Sequence, residues 1–239
     1  MSDEVGEIFA SVAAAYGQCR SYRDEGNVTK TYFMPLKRTD LQPFSTRFVR
    51  PDGFRFEFRK RRGEYEWDQY VVWLEDNLAS TWWDALRRNE RHPLPLAIAR
   101  ATGVSGGSAS RVPRLLMPDV IESRGLESEE ARVIDVPEAS LVNCIVVERN
   151  YGSDAKEQIW IDRATWLIRK VVVPRFVLPR APLPLEWSND LDKARQERVA
   201  EILAARRESP VEVESVTTYD AAFDVAIEPE ELRFVPPEE

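Results

Sequence analysis

Between Thr46 and Arg59 the chain alternates with a period of two: Phe48, Phe54, Phe56 and Phe58 fall on one side, Arg47, Arg55, Glu57 and Arg59 on the other. Only an extended strand sends successive side chains to opposite faces, so this stretch requires a sheet with one apolar and one charged face. Pro51-Asp52-Gly53 interrupts the run as a turn that keeps the parity of both halves. An apolar sheet face has to be buried against another layer.

The flanking segments supply the rest of the pattern. Val5, Ile8, Phe9, Val12, Ala13 and Tyr16 recur at helical spacing, with Ser2, Asp3 and Glu4 at the start, and predict a helix over residues 3–17. From Tyr22 the period becomes two, and Val28, Lys30, Tyr32 and Met34 share a face up to Pro35. Glu66 to Leu74, with Trp67, Val71 and Trp73 alternating, and Ala79 to Trp83 extend the meander. Residues 84–118 then break it with a proline-punctuated helical stretch carrying Leu94, Leu96, Ala97, Ile98 and Ala101, a flexible loop from Gly103 to Ser110, and Pro113 to Pro118. Strands are expected again at 131–136, 141–149, 157–161 and 166–173, and finally at 211–219 and 223–227. Before those last two, Pro174 to Pro184 is extended, and Leu191, Ala194, Val199, Ile202 and Leu203 mark another helix. About ten strands and three helical regions in this order predict an α+β chain: a single curled antiparallel sheet with helices covering the concave face. One domain is expected over 1–239.

Charge and composition narrow the partners. Lys and Arg total 33 against 41 Asp and Glu, a net charge of -8, which repels nucleic acid and anionic membrane surfaces on average. No apolar run reaches the roughly 20 residues of a membrane-spanning helix. Two cysteines, Cys19 and Cys144, and one histidine are too few for a disulfide scaffold or a thiolate zinc site; no metal or cofactor is expected. The two cysteines either pair in an oxidising compartment or stay free. The amino terminus has no basic region followed by an apolar run, so the sequence as given carries no export signal: either the protein stays inside the cell or a leader has been removed.

Catalytic motifs fail on context. Gly103-Val104-Ser105-Gly106-Gly107 matches the G-x-S-x-G elbow, but a helical segment precedes it, and His92 lies upstream where that hydrolase order needs the histidine downstream. The same loop lacks the Gly-Lys-Ser/Thr ending of a phosphate loop. Arg55, Arg59, Lys60, Arg61 and Arg62 lie beside aromatic residues, yet alternation sends arginines and phenylalanines to opposite faces, whereas a base-stacking platform needs both together. With no catalytic residue identified, the chain reads as a non-enzyme. One polar group stands out: Arg50 shares parity with the four phenylalanines. Either it enters the apolar face and its donors find carbonyls or a carboxylate on the covering layer, or the turn at Pro51 swings it to the rim.

These residues carry a resemblance. Phe48-Val49-Arg50-Pro51-Asp52-Gly53-Phe54-Arg55-Phe56-Glu57 resembles the strand pair of the LolA/LolB-like periplasmic lipoprotein-carrier superfamily, and its outer-membrane lipoprotein-sorting-like subgroup in particular. Ser21 to Gly26, Ala101 to Ser108, Trp160-Ile161-Asp162 with Leu167-Ile168-Arg169, and Glu231 to Pro237 match in order along nearly the whole chain. The resemblance implies an unclosed barrel whose concave side, covered by helices, receives acyl chains, and an arginine before the motif proline, here Arg50, that latches the helices; against that pattern, about 174–207 reads as an insertion between late strands of a single LolA-like domain.

The expected function is therefore a non-enzymatic carrier or sensor of a lipid, a lipoprotein acyl chain or another hydrophobic ligand. Phe48, Phe54, Phe56, Phe58, Trp67, Val71 and Trp73 form the wall, Leu94, Leu96 and Ile98 the lid, and Arg50 the lid latch. The expected partners are a hydrophobic ligand or lipidated protein and a transient membrane or membrane-protein contact, with no nucleic acid; the chain is a monomer. The resemblance implies a periplasmic or extracytoplasmic location if a leader was removed. Two other readings stand beside it: a protein-interaction domain whose core is filled by its own side chains, and a hydrolase using Ser105.

Overall fold

The computed structural model describes residues 3–33, 37–62, 66–121, 126, 130–136, 143–151, 155–177 and 212–237. Eleven strands form one antiparallel sheet, unclosed, in the spatial order β6-β5-β4-β3-β2-β1-β11-β10-β9-β8-β7. They are β1 (Ser21–Tyr32), β2 (Arg38–Val49), β3 (Gly53–Arg61), β4 (Trp67–Glu75), β5 (Leu78–Trp83), β6 (Arg88–His92), β7 (Arg132–Ile134), β8 (Cys144–Tyr151), β9 (Ala155–Asp162), β10 (Ile168–Val177) and β11 (Glu212–Phe223). The helices are α1 (Asp3–Gln18), α2 (Leu94–Val104), α3 (Ser108–Leu116) and the single turn α4 (Pro229–Leu232). None of the described helices is long and apolar enough to cross a membrane.

Cross-strand register sets the two faces. Tyr22, Phe48 and Phe54 lie opposite one another across β1, β2 and β3, as do Asp24, Thr46, Phe56 and Val72, and Gly26, Phe44, Phe58 and Tyr70. These rows form the concave face. On the convex face the equivalent rows run Arg23, Arg47, Arg55, Trp73 and Glu25, Ser45, Glu57, Val71. Hydrophobic burial drives the concave rows together with the inward side chains of α1, α2 and α3 into one core. From α1 come Val5, Ile8, Phe9, Val12 and Tyr16; from α2, Leu94, Ala97, Ile98 and Ala101; from α3, Val112, Leu115 and Leu116. The terminal strands suit their exposed edges: β7 has three residues, and β6, Arg-Asn-Glu-Arg-His, presents charge that discourages edge-to-edge pairing.

Several elements differ from the sequence reading. β2 begins at Arg38, well before the expected Thr46. β6 falls within residues 84–118, where no strand was expected; its five polar residues give no apolar alternation to read. The Gly103 to Ser110 loop is short, because α2 runs to Val104 and α3 begins at Ser108, joined through Gly106 and Gly107 at φ 66° and 97°. Pro113 lies inside α3. The two closing strands are one strand, β11, which stops at Phe223 because Asp224 adopts φ 54°. The helix expected around Leu191 to Leu203 and most of the insertion expected at 174–207 lie outside the described residues.

Candidate functional site: a helix-covered aromatic floor

Phe48, Phe54 and Phe56 are fully buried and Phe58 nearly so, forming a floor of four rings beneath the helices. Leu94 and Ile98 of α2 are buried in the same core, where α2 packs on β4 and β5, while Leu96 is 45% exposed on the far side of the same helix. The reason is helical geometry: 94, 97, 98 and 101 share one stripe, and 96 falls outside it. The lid reading of Leu96 is corrected on that ground.

The wall reading also needs correction in β4. Trp67, Val71 and Trp73 pair with Arg61, Glu57 and Arg55, which places them on the convex face. Tyr70 and Val72 take the concave positions instead, opposite Phe58 and Phe56. Val71, Trp73 and Trp82 form a second apolar cluster under Phe234, whose ring lies 5.2 Å from that of Trp73. Trp67 is 40% exposed, with the Arg61 guanidinium over its ring. The C-terminal segment holds to this outer face by charge as well. Arg23 Nη2 donates to both Glu231 oxygens at 2.6 and 2.7 Å, and Arg55 Nη1 donates to the Arg233 carbonyl at 2.8 Å.

Arg50 resolves the two sequence alternatives. Its Nε donates to the Cys19 carbonyl at 2.8 Å, and its Nη2 donates to the carbonyls of Tyr16 at 3.1 Å and Leu116 at 2.9 Å. The guanidinium also lies 5.1 Å from the centre of the Phe48 ring. Helix C-termini leave their last carbonyls without intrahelical partners and carry partial negative charge, so one arginine meets the ends of α1 and α3 together.

Sequence reasoning missed a second tie on the concave side. Glu157 of β9 is fully buried, accepting from Arg111 Nη1 of α3 at 2.9 Å and from Arg149 Nε of β8 at 2.9 Å. Burial would raise its carboxyl, but the two guanidiniums outweigh this and hold it below the ordinary glutamate range. Arg149 Nη1 also donates to the Leu126 carbonyl at 2.6 Å. A lone glutamate among 41 carboxylates gives no sequence signal. Only the fold brings its two arginines to it.

Near the centre of the floor, Asp24 is fully buried. It accepts from the Tyr22 hydroxyl and the Thr46 amide, each at 2.7 Å. Burial pushes its carboxyl up to about 7. The Tyr16 hydroxyl accepts from the Ile168 amide at 3.1 Å, fixing α1 to β10. Ser105 is buried at the α2–α3 turn, where its Oγ accepts from the Ala109 amide at 3.2 Å and ties the end of α2 to the first turn of α3. His92 Nε2 lies 3.0 Å from Glu90 and 2.6 Å from Arg100, a surface cluster. Both cysteines are free thiols. Burial pushes Cys19 up to about 11. A separate open cleft of about 590 Å³ lies at the sheet rim between Arg20, Val49 and residues 224–227.

No family model matches this sequence, and no curated protein matches it. Among solved structures the chain is similar to a domain from Vibrio parahaemolyticus described as an outer-membrane lipoprotein-sorting protein, at 11% identity and a TM-score of 0.37, covering 96% of this chain and 94% of that one. It is similar to a DUF1329 family protein from Desulfovibrio piger at 11% identity and a TM-score of 0.37, covering 97% and 100%. A third similar structure is a LolA superfamily protein from Nitrosomonas europaea, at 10% identity and a TM-score of 0.35, covering 96% and 97%.

Proposed function

We propose that this chain is a non-enzymatic carrier or sensor that admits a hydrophobic ligand between the aromatic floor and the α2–α3 helical cover. The observation that carries the reading is Arg50: one guanidinium bonds the carboxyl-terminal ends of α1 and α3, so a single side chain holds two covering helices shut. Hydrogen bonds from a charged donor are strong enough to hold a closed state, yet few enough to be exchanged when apolar surface on a ligand replaces the contacts of the lid. Each acyl methylene buried adds roughly 0.8 kcal/mol, so a chain of ordinary length offsets the opening of such a latch.

In this reading Phe48, Phe54, Phe56 and Phe58 form the floor, Leu94 and Ile98 the lid, and Arg50 the latch. The sequence resemblance to lipoprotein carriers adds lipid acyl chains as the ligand class and an extracytoplasmic location. The chain acts as a monomer and meets a lipidated protein or a membrane protein transiently.

A second reading has its own support. The floor rings are already covered by helix side chains, as in a protein-interaction domain with a filled core. Lipid extraction with mass spectrometry on protein purified from its host, together with displacement of an apolar fluorescent probe, separates them. Co-purifying lipid and a displaceable probe are expected for the carrier; neither would leave the interaction domain.

A further inference from the structure

At the end of the concave face remote from Arg50, the turn between α2 and α3 settles directly on a lysine. A Cβ built on Gly106 would sit 2.8 Å from Lys30 Cε, 2.9 Å from its Nζ and 3.3 Å from Val28 Cγ1, so the glycine is what allows the contact. Lys30 is half-buried there, with no hydrogen bond or ion pair among the described residues. Lys60, two residues beyond Phe58 on β3 and therefore on the same face, has none either. The two nearby carboxylates turn to other cations: Asp40, opposite Lys30, to Arg38 at 2.8 Å, and Asp68, opposite Lys60, to Arg62 at 3.5 Å. Across from Val28, beneath the same turn, Gln42 is 8% exposed, and its Oε1 is buried without a hydrogen-bond partner.

A partly desolvated ammonium without a hydrogen-bonded counter-ion is costly, and so is a buried amide oxygen without a donor. Burial, and after it the Lys60 charge, lowers the Lys30 ammonium from its ordinary range, and Asp40 across the strand offsets this only in part. The α3 amino terminus beside the turn contributes further positive potential. One chemistry satisfies every group: an anionic oxygen for Lys30 and Lys60, and a hydroxyl or amide donor for Gln42.

We infer that this mouth receives the head group of an anionic amphiphile, with the acyl chain passing beneath α2 and α3 and a phosphate or carboxylate held by Lys30 and Lys60. The inference rests on the carrier reading and adds the ligand's charge to it. A molecule with overall charge -8 would otherwise disfavour such a ligand, so the selectivity has to come from these few residues.

Three ligands isolate the parts: oleoyl lysophosphatidic acid, monoolein with the same chain and glycerol but no phosphate, and glycerol 3-phosphate with the head group alone. Native mass spectrometry on the full chain, below the micellar concentration of each lipid, reads the bound fraction. The expected result is that the phosphate lipid binds about tenfold more tightly than monoolein, as one desolvated charge pair supplies. Glycerol 3-phosphate binds far more weakly than either lipid. In the double variant Lys30→Met, Lys60→Met the tenfold preference disappears while monoolein binding stays. Removing an uncompensated charge leaves the fold intact, which circular dichroism checks. Equal binding of the two lipids by the wild type, or a preference that survives in the double variant, overturns the head-group inference and leaves the carrier reading standing. Glycerol 3-phosphate binding as tightly as the lipid overturns the amphiphile assignment in favour of a free-anion site. Binding of neither lipid overturns this inference together with the reading beneath it.

Discussion

Arg50 Nη2 donates to the carbonyl of Leu116, 66 residues away in sequence and 2.9 Å away in space, and the same nitrogen reaches Tyr16. The residue at a strand-turn boundary thereby holds the last turns of two separate helices. Replacing it by leucine removes the charge and every donor at once. Arg50→Leu is expected to lower stability by roughly 2–4 kcal/mol, since the lost bonds involve a charged donor in a part-buried site. It is also expected to speed exchange of an apolar probe. Urea unfolding reads the first effect and stopped-flow fluorescence the second; unchanged exchange kinetics would count against the latch.

Glu157 is a different kind of tie, because it is fully buried between Arg111 and Arg149. Glu157→Gln leaves two guanidiniums around a neutral amide, and breaking a buried ion pair from one side costs about 3–5 kcal/mol. The expected outcome is a chain with a much lower unfolding midpoint. A midpoint matching the wild type would mean that the arginines reach water more freely than this geometry allows.

Gly26 is required by its neighbours rather than by its backbone angles. Any Cβ there would run into the Phe44 ring and the Thr218 carbonyl, and the Phe44 and Tyr219 rings pack at 5.4 Å across the strand that carries it. Gly26→Ala is expected to destabilise by about 1–3 kcal/mol, the usual range for overpacking a core. Thermal unfolding measures it, with Gly17→Ala as a control, since a Cβ at Gly17 meets nothing within 4 Å.

Asp24 links stability to pH with a sign opposite to that of most carboxylates. Burial raises it to about 7 in the folded chain, despite the opposing bonds from Tyr22 and Thr46. An unfolded aspartate titrates near 4, so between about pH 4 and pH 7 the native state holds a proton that the unfolded chain has released. Its stabilising contribution is complete below the lower value and is lost as pH rises through the upper one. Subtracting the stability profile of Asp24→Asn from that of the wild type should therefore give a curve falling across this window and level above it. A flat difference would show that the carboxylate is charged throughout.

On the convex face, Phe234 covers Trp73 and lies beneath the Arg55 guanidinium, 5.5 Å from ring centre to charge. Phe234→Ala is expected to cost about 1–2 kcal/mol from lost apolar area and ring contact. Trp73 becomes more accessible to a soluble quencher; tryptophan quenching unchanged from the wild type would place the C-terminal segment elsewhere.

The amino-acid sequence by itself determined the period-two stretches, the amphipathic α1, the turn at Pro51-Asp52-Gly53 and the apolar parity of Arg50, because each depends only on side-chain direction along a local element. That was enough to read a curled antiparallel sheet under helices and to see that Arg50 needed acceptors. Which face each strand presents is another matter. In β4, Tyr70, Val71, Val72 and Trp73 are all buried, so alternation carries no polar side to orient it. The pairing of Trp73 with Arg55 fixes its direction, and the far C-terminal segment makes the outer position apolar. The same holds for Glu157 with Arg111 and Arg149, and for Lys30 under Gly106. These are meetings of residues distant in sequence, created when strand register and helix packing are satisfied together, and no local pattern encodes them.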